Sequence, residues 1–350
     1  MKKCLFLIFS LSFLLAACSP SRYPELTVSL SGASLMQGVQ AIIHVHVSNP
    51  DQEDRPGMKL LLGISKNEDS AMSLIQEIPI SLNAGQTFEQ DVPWYVDLKP
   101  VDSSSYLFRS VLEGPDSLIL AQTSTPLEFV QPALTMSIAP KRFTIFSPTT
   151  ITFQVTNPSD FKWNGFKLLL CYAPIGASSQ IQIIEESLNL AAGEVYTHTV
   201  NWNADFQNIP SINYQLSLML LLPDDTVLRQ ISTPIDVVQP DLNISIDPAQ
   251  LMLNTKATIH VSVTNPSEMD WQDYQVHLYY EAVDDTSRNW IQTLTFSLKA
   301  GETFQQDVTW NINYIPPGPN HNLDVLLMTP GPDIYVVLAE VKIPLSFSAH

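Results

Sequence analysis

The chain has 350 residues and a formal charge of −18, from 35 acidic against 17 basic residues. That balance excludes a surface built to hold nucleic acid or anionic lipid headgroups, because both repel acidic side chains. Only three Cys are present, which excludes a disulfide-stapled scaffold.

Lys2 and Lys3 open an export signal. Leu5 to Leu15 supply an apolar stretch too short to cross a bilayer comfortably, and Leu15-Ala16-Ala17-Cys18 closes it. Charge, apolar run, small residues and Cys in that order read as a bacterial lipobox. Residues 1–17 are then a lipoprotein signal peptide, and Cys18 is the first mature residue and carries a diacylglyceryl group. Plain secretion with cleavage beside Cys18 is the alternative. Acyl chains contribute about 0.8 kcal/mol per buried CH₂, so several of them hold a protein at a membrane without a spanning helix. Ser19 and Pro20 follow; the absence of Asp at the second position resembles lipoproteins sorted to the outer membrane, if the cell is Gram-negative. Residues 18–23 form the tether. Cys4 leaves with the signal, so Cys171 has no partner in the mature chain, and its place after Leu168-Leu169-Leu170 predicts a buried, inert thiol.

From Pro24 onward the chain repeats three times at a spacing of 108 residues. Pro24, Pro132 and Pro240 open the copies; Asn49-Pro50, Asn157-Pro158 and Asn265-Pro266 recur in register. So do Ala84-Gly85, Ala192-Gly193 and Ala300-Gly301, and so do Trp94, Trp202 and Trp310. A period this long exceeds a solenoid repeat and matches an independent domain of about 100 residues. The predicted domains are 24–131, 132–239 and 240–350.

Within each copy, apolar residues alternate. The first strand carries Leu26, Val28 and Leu30; the second carries Ile43, Val45 and Val47 and stops at Asn-Pro. A third carries Leu60, Leu62 and Ile64, and a fourth Ile78, Ile80 and Leu82. Glu186 interrupts that fourth pattern in the middle copy. The Ala-Gly turn follows, with Gly supplying a positive φ. A fifth strand runs to the Trp, and two more close the copy, near 105–112 and 117–129 in the first. Seven short strands in about 100 residues predict an all-β chain of three tandem immunoglobulin-like sandwiches. Val130-Gln131-Pro132 and Val238-Gln239-Pro240 are short joints stiffened by Pro, which predict an elongated, semi-rigid array. The third copy gains two residues after Trp310, placed by the sequence in the loop around Pro316-Pro317-Gly318-Pro319.

The run Leu82-Asn83-Ala84-Gly85-Gln86 to Trp94 recurs as Leu190-Ala191-Ala192-Gly193-Glu194 to Trp202 and as Leu298-Lys299-Ala300-Gly301-Glu302 to Trp310. Preceded by a strand ending in Asn, it resembles the CARDB group, the cell-adhesion-related domains of bacteria, over nearly the whole mature chain. The resemblance implies a noncatalytic surface or periplasmic module used as spacer and adhesive unit.

Motifs for chemistry are scarce. His44 and His46 share one strand face, but Ile43, Val45 and Val47 take the inner face, so the pair points outward with no third metal ligand in view. Asp51 to Asp54, Asp224-Asp225 and Asp284-Asp285 lack the alternating oxygen pattern of a calcium loop. No nucleophile elbow, zinc-protease helix, phosphate loop or dinucleotide fingerprint occurs, so no enzyme and no cofactor beyond the lipid on Cys18 is expected. Trp163 and Trp271 lie at matching positions past Asn-Pro, where the first copy has Arg55. They are the candidate ligand contacts: such a Trp either stacks on a partner or closes the end of the core, and closure is the commoner role in sandwiches. The expected function is a membrane-anchored scaffold or adhesion-type interaction protein with a protein or polysaccharide partner. A cell-surface carbohydrate-binding array and a periplasmic spacer of a secretion, pilus or envelope complex are the alternatives. The third copy, with Trp290 and Tyr314, is the expected working end.

Overall fold

The computed structural model describes residues 23–98, 106–204, 213–283, 288–315, 320–330 and 336–348. Cys18, the segment Pro316 to Pro319 and Asp284-Asp285 lie outside them. The alternating stretches of the first copy form β1 (Glu25–Leu30), β2 (Ser34–Leu35), β3 (Gln40–Ser48), β4 (Arg55–Ser65), β5 (Ser73–Leu82), β6 (Thr87–Tyr95), β7 (Tyr106–Glu113) and β8 (Ile119–Phe129). The second copy forms β9 (Ala133–Ala139), β10 (Arg142–Phe143), β11 (Pro148–Thr156), β12 (Phe166–Pro174), β13 (Ile181–Leu188), β14 (Val195–Asn203), β15 (Tyr214–Leu221) and β16 (Val227–Val237). The third forms β17 (Asp241–Asp247), β18 (Gln250–Leu251), β19 (Lys256–Thr264), β20 (Trp271–Ala282), β21 (Asn289–Leu298), β22 (Thr303–Asn311), β23 (His321–Met328) and β24 (Val337–Phe347).

Each copy pairs a three-stranded with a five-stranded sheet. The first has orders β1-β3-β6 and β2-β8-β7-β4-β5, and the other two repeat them. The chain is therefore all-β, three tandem immunoglobulin-like sandwiches. Eight strands stand where seven were expected. The first strand leaves one sheet and continues as a two-residue strand parallel to the last strand of the other, Ser34 opposite Glu128 and Leu35 opposite Phe129. Two residues are too short to show a period, so the alternation could not reveal the switch. Contacts divide the chain into two compact units. One runs to Gln131 and takes in Ser159–Phe161; the other holds the second and third sandwiches.

The inner faces carry the core as the alternation required. Ile43, Val47, Leu60 and Leu62 are fully buried, as are Ile151, Val155, Leu168 and Leu170, and Ile259, Val263, Val276 and Leu278. Burying each such side chain contributes about 1.5–3 kcal/mol, and the hydrophobic core is the main stabilising term in a sandwich with no disulfide.

The recurring Asn-Pro and Ala-Gly motifs turn out to be one hydrogen-bonded unit. The buried Asn265 Nδ2 donates to Met269 O (2.7 Å) and Lys299 O (3.2 Å); Asn157 Nδ2 donates to Leu190 O and Ala191 O, and Asn49 Nδ2 to Glu53 O and Asn83 O. Gly85, Gly193 and Gly301 have φ of 70, 71 and 76°, the left-handed region that only Gly enters without cost. The residue after each Gly closes the turn: Gln86 Oε1 accepts from Asn83 N, Glu194 Oε2 from Ala191 N and Glu302 Oε2 from Lys299 N. The whole recurring run is thus occupied in building a corner.

The register corrects the placement of the extra residues in the third copy. Leu218 opposite Leu170 matches Val325 opposite Leu278, so the third copy is one residue shorter before β23. Ile235 opposite Tyr214 matches Leu345 opposite His321, so it is three residues longer between β23 and β24. The net gain of two lies in that final turn rather than in the Pro-rich loop.

Candidate functional site on the third sandwich

Trp163 and Trp271 do not present their rings to a ligand. They are 0% and 1% exposed. Trp163 stacks on Phe166 with centroids 4.8 Å apart, and Trp271 on Tyr274 at 4.6 Å. Trp163 N also donates to Leu190 O, beside the Asn157 corner. Both rings close the end of the core, so the stacking surface that a partner needs is taken by an internal aromatic. Of the recurring Trp, Trp94 and Trp310 are buried as core anchors, while Trp202 is half-buried against Phe143 and Tyr172.

The outward His pair is where the alternation put it. His44 Nδ1 lies 2.7 Å from Asp91 Oδ1, and His46 Nδ1 lies 3.1 Å from Glu89 Oε1. In the third sandwich His260 Nδ1 lies 2.6 Å from Asp307 Oδ1, and both line an open, largely polar recess of about 340 Å³ formed by residues of β17, β19 and β22. Among the described residues no group of three or more His, Cys, Asp or Glu is placed to hold a metal. The acidic turns have structural work: Asp51 Oδ2 pairs with Arg55, Asp54 Oδ1 accepts from Ala84 N, and Asp224 Oδ1 accepts from Thr226 N.

Glu186, the interruption in the second copy, is satisfied locally. Tyr196 Oη donates to Glu186 Oε2 at 2.6 Å and His198 Nδ1 lies 3.4 Å from Oε1. Burial first, then the bond to Glu186, pushes the Tyr196 phenol up to about 12. His198 in turn stacks on Phe153. Cys171 is buried as expected, and burial pushes its thiol up, which makes the reactive thiolate scarce.

What distinguishes the copies is one row across the outer face of the five-stranded sheet. Pairing sets Trp290 of β21 opposite Tyr279 of β20, Tyr279 opposite Asp324 of β23, and Asp324 opposite Lys342 of β24. The same register in the second sandwich reads Gln182, Cys171, Ser217 and Ser232, and in the first Leu74, Gly63, Arg109 and Ser124. Neither forerunner needs an aromatic or a buried acid there, so the fold does not demand one.

Asp324 is 0% exposed. Arg288 Nη2 stands 2.8 Å from its Oδ2, and Lys342 Nζ 4.0 Å. Lys342 also reaches Glu281 Oε1 (2.8 Å) and Glu340 Oε1 (3.6 Å), while Arg288 reaches the same two carboxylates at 3.6 and 3.4 Å and lies over the Tyr279 ring. Desolvation raises the Asp324 carboxyl above the usual range despite both cations. The bond to Glu281 raises Lys342. Beside this framework Trp290 is 63% exposed, and its Nε1 donates to Thr293 Oγ1 at 3.2 Å. In the sequence Trp290 stands out only as an extra aromatic of the third copy. Its neighbours differ from their counterparts in the other copies along a row that strand register alone defines.

No protein-family model matches this chain, and no curated protein does. Solved structures do. Three N-terminal domains of the bacteriophage RB49 Highly Immunogenic Outer Capsid protein match 93% of this chain over 99% of theirs, at 11% identity and a TM-score of 0.32. Escherichia coli alpha-2-macroglobulin activated by porcine elastase matches 93% of this chain at 11% identity and 0.27, and red sea bream transglutaminase 61% at 16% and 0.26. The chain spans about a third of each of these two longer proteins, 33% and 31%. Likenesses at these scores carry no argument about activity.

Proposed function

We propose that this chain is a noncatalytic lipoprotein of the bacterial cell envelope, anchored through Cys18 and using its immunoglobulin-like sandwiches as interaction modules. The supporting observation is where the recurring side chains go. Asn-Pro, Ala-Gly with the Gln or Glu after it, and the recurring Trp are spent on corners and core, so what is common to the copies builds a scaffold. What one copy has alone, the Trp290 row, leaves an indole and a lysine exposed at its two ends. For the carbohydrate-binding alternative, the exposed aromatic is Trp290, since Trp163 and Trp271 are buried.

Labelling growing cells with a radioactive fatty acid tests the anchor. The full chain takes up label and partitions into detergent, and Cys18→Ala does neither. Label that is absent from the full chain, or that persists in the variant, refutes the anchor. Protease added to intact cells then separates a surface-facing protein, which is degraded, from a periplasmic one, which is protected.

A further inference from the structure

We propose that the outer face of the third sandwich is a binding surface for a neutral saccharide chain, with Trp290 as the stacking plate. The inference rests on the interaction-module reading and names the ligand class. Four observations carry it. The first is the ring itself: Trp290 is more exposed than any other Trp in the described residues, and its Nε1 donates to Thr293 Oγ1. An indole exposed in this way presents a flat apolar face to solvent, which suits the C–H face of a pyranose.

The second is the row that continues from it. Trp290, Tyr279, Asp324 and Lys342 lie on four adjacent strands, which sets the two ends about 14 Å apart at about 4.8 Å per strand step. That is the reach of two to three sugar rings.

The third is the fixing of the polar groups. Asp324 has almost no surface of its own, so its role is to hold what lies above it. It and the buried Glu281 anchor Arg288 and Lys342, whose head groups remain partly open to solvent beside the equally open Glu340. The result is a pre-placed set of N–H donors and one carboxylate acceptor. A hydroxyl both donates and accepts, and such a set satisfies it without ordering long side chains at the moment of binding.

The fourth is the charge. Three carboxylates (Glu281, Asp324, Glu340) face two cations (Arg288, Lys342), which leaves the site with a formal charge of only −1. An anionic ligand meets a strongly acidic chain, and a cationic one finds the carboxylates already paired. A neutral polyhydroxylated ligand meets neither obstacle.

The test is electrophoresis of the full chain in detergent through native gels containing a neutral polysaccharide: β-glucan, xylan, galactomannan, glycogen or dextran, one per gel. Polylysine gels and polysaccharide-free gels run in parallel. At least one neutral polysaccharide retards the chain. Trp290→Ala weakens that retardation at least tenfold in apparent affinity and leaves the melting temperature unchanged, since the ring is a surface group. Lys342→Met weakens it as well, and Trp163→Phe does not. No retardation in any neutral gel, equal retardation of Trp290→Ala, or retardation by polylysine alone overturns the proposal. Fatty-acid labelling of Cys18 is independent of all three results, so loss of the saccharide assignment and loss of the anchor are told apart.

Discussion

Replacing Trp163 by Ala is the sharpest test of whether that indole is core or contact. Its ring is fully buried and stacked on Phe166, with planes 17° apart. Truncating a buried Trp to Ala costs about 3–5 kcal/mol through lost transfer energy and a residual cavity. The second sandwich carries its own reporter, the buried Cys171. In a chain beginning at Tyr23 it is the sole thiol. Its modification by a disulfide reagent under native conditions reports the population in which that sandwich is open. At 1.4 kcal/mol per tenfold, Trp163→Ala speeds labelling by about two to three and a half orders of magnitude. Trp163→Phe behaves differently. It removes roughly 40 Å³, about 1 kcal/mol at 24 cal/mol per Å³. It also removes an indole N–H that is buried with no hydrogen-bond partner, which offsets that loss at about 1–3 kcal/mol. Labelling of Trp163→Phe therefore ranges from unchanged to about thirtyfold slower than in the parent chain. Unchanged labelling in Trp163→Ala would refute the core assignment and return the ring to the list of candidate contacts.

Asp324→Ser places in the third sandwich the residue that the second carries as Ser217. Desolvation raises the Asp324 carboxyl when folded, so the folded chain binds more protons than the unfolded one above the ordinary Asp value of 3.8, and stability falls as pH rises to the raised value. The difference in unfolding free energy, variant minus parent, therefore climbs as pH rises from about 4 and then levels; a difference that falls over that range refutes the assignment. Gly193→Ala forces a Cβ into φ of 71° but meets nothing within 4 Å, so its cost is conformational alone, about 1–2 kcal/mol in urea unfolding, and Gly193→Asn recovers part of it. A loss well above 3 kcal/mol in the Ala variant contradicts the open-turn geometry.

The fold was legible because it is written three times. Period-two alternation gave the inner faces, and Ile43, Val45 and Val47 sit where it put them. Turn residues gave the corners, although Asn49 and Ala84-Gly85, read as separate features, share one set of hydrogen bonds. Such partnering depends on which loops meet in space, and spacing along the chain does not encode it. Trp163 and Trp271 show the same limit: a lone aromatic past a turn has no period, so its exposure waits on what Phe166 and Tyr274 do. The Trp290 row was the least legible. Its members come from four strands with bulges at Leu278/Tyr279 and Leu327/Met328, and each bulge shifts the face by one residue.

The three sandwiches act as controls for one another, and this separates what the fold needs from what it carries. At the central position of the outer face the first copy has Arg109, which donates to Glu68 O at 3.0 Å, and the second has Ser217, paired with Ser232 at 2.9 Å. Both are locally satisfied at little electrostatic cost. The third puts a carboxylate there under complete burial, and sets the cations Arg288 and Lys342 against it. A buried ion set is seldom worth more to stability than apolar residues of the same volume. Its retention in one copy of three therefore points to what it holds at the surface. Those groups are the guanidinium, the ammonium and the carboxylate of Glu340, grouped on one side of an exposed indole.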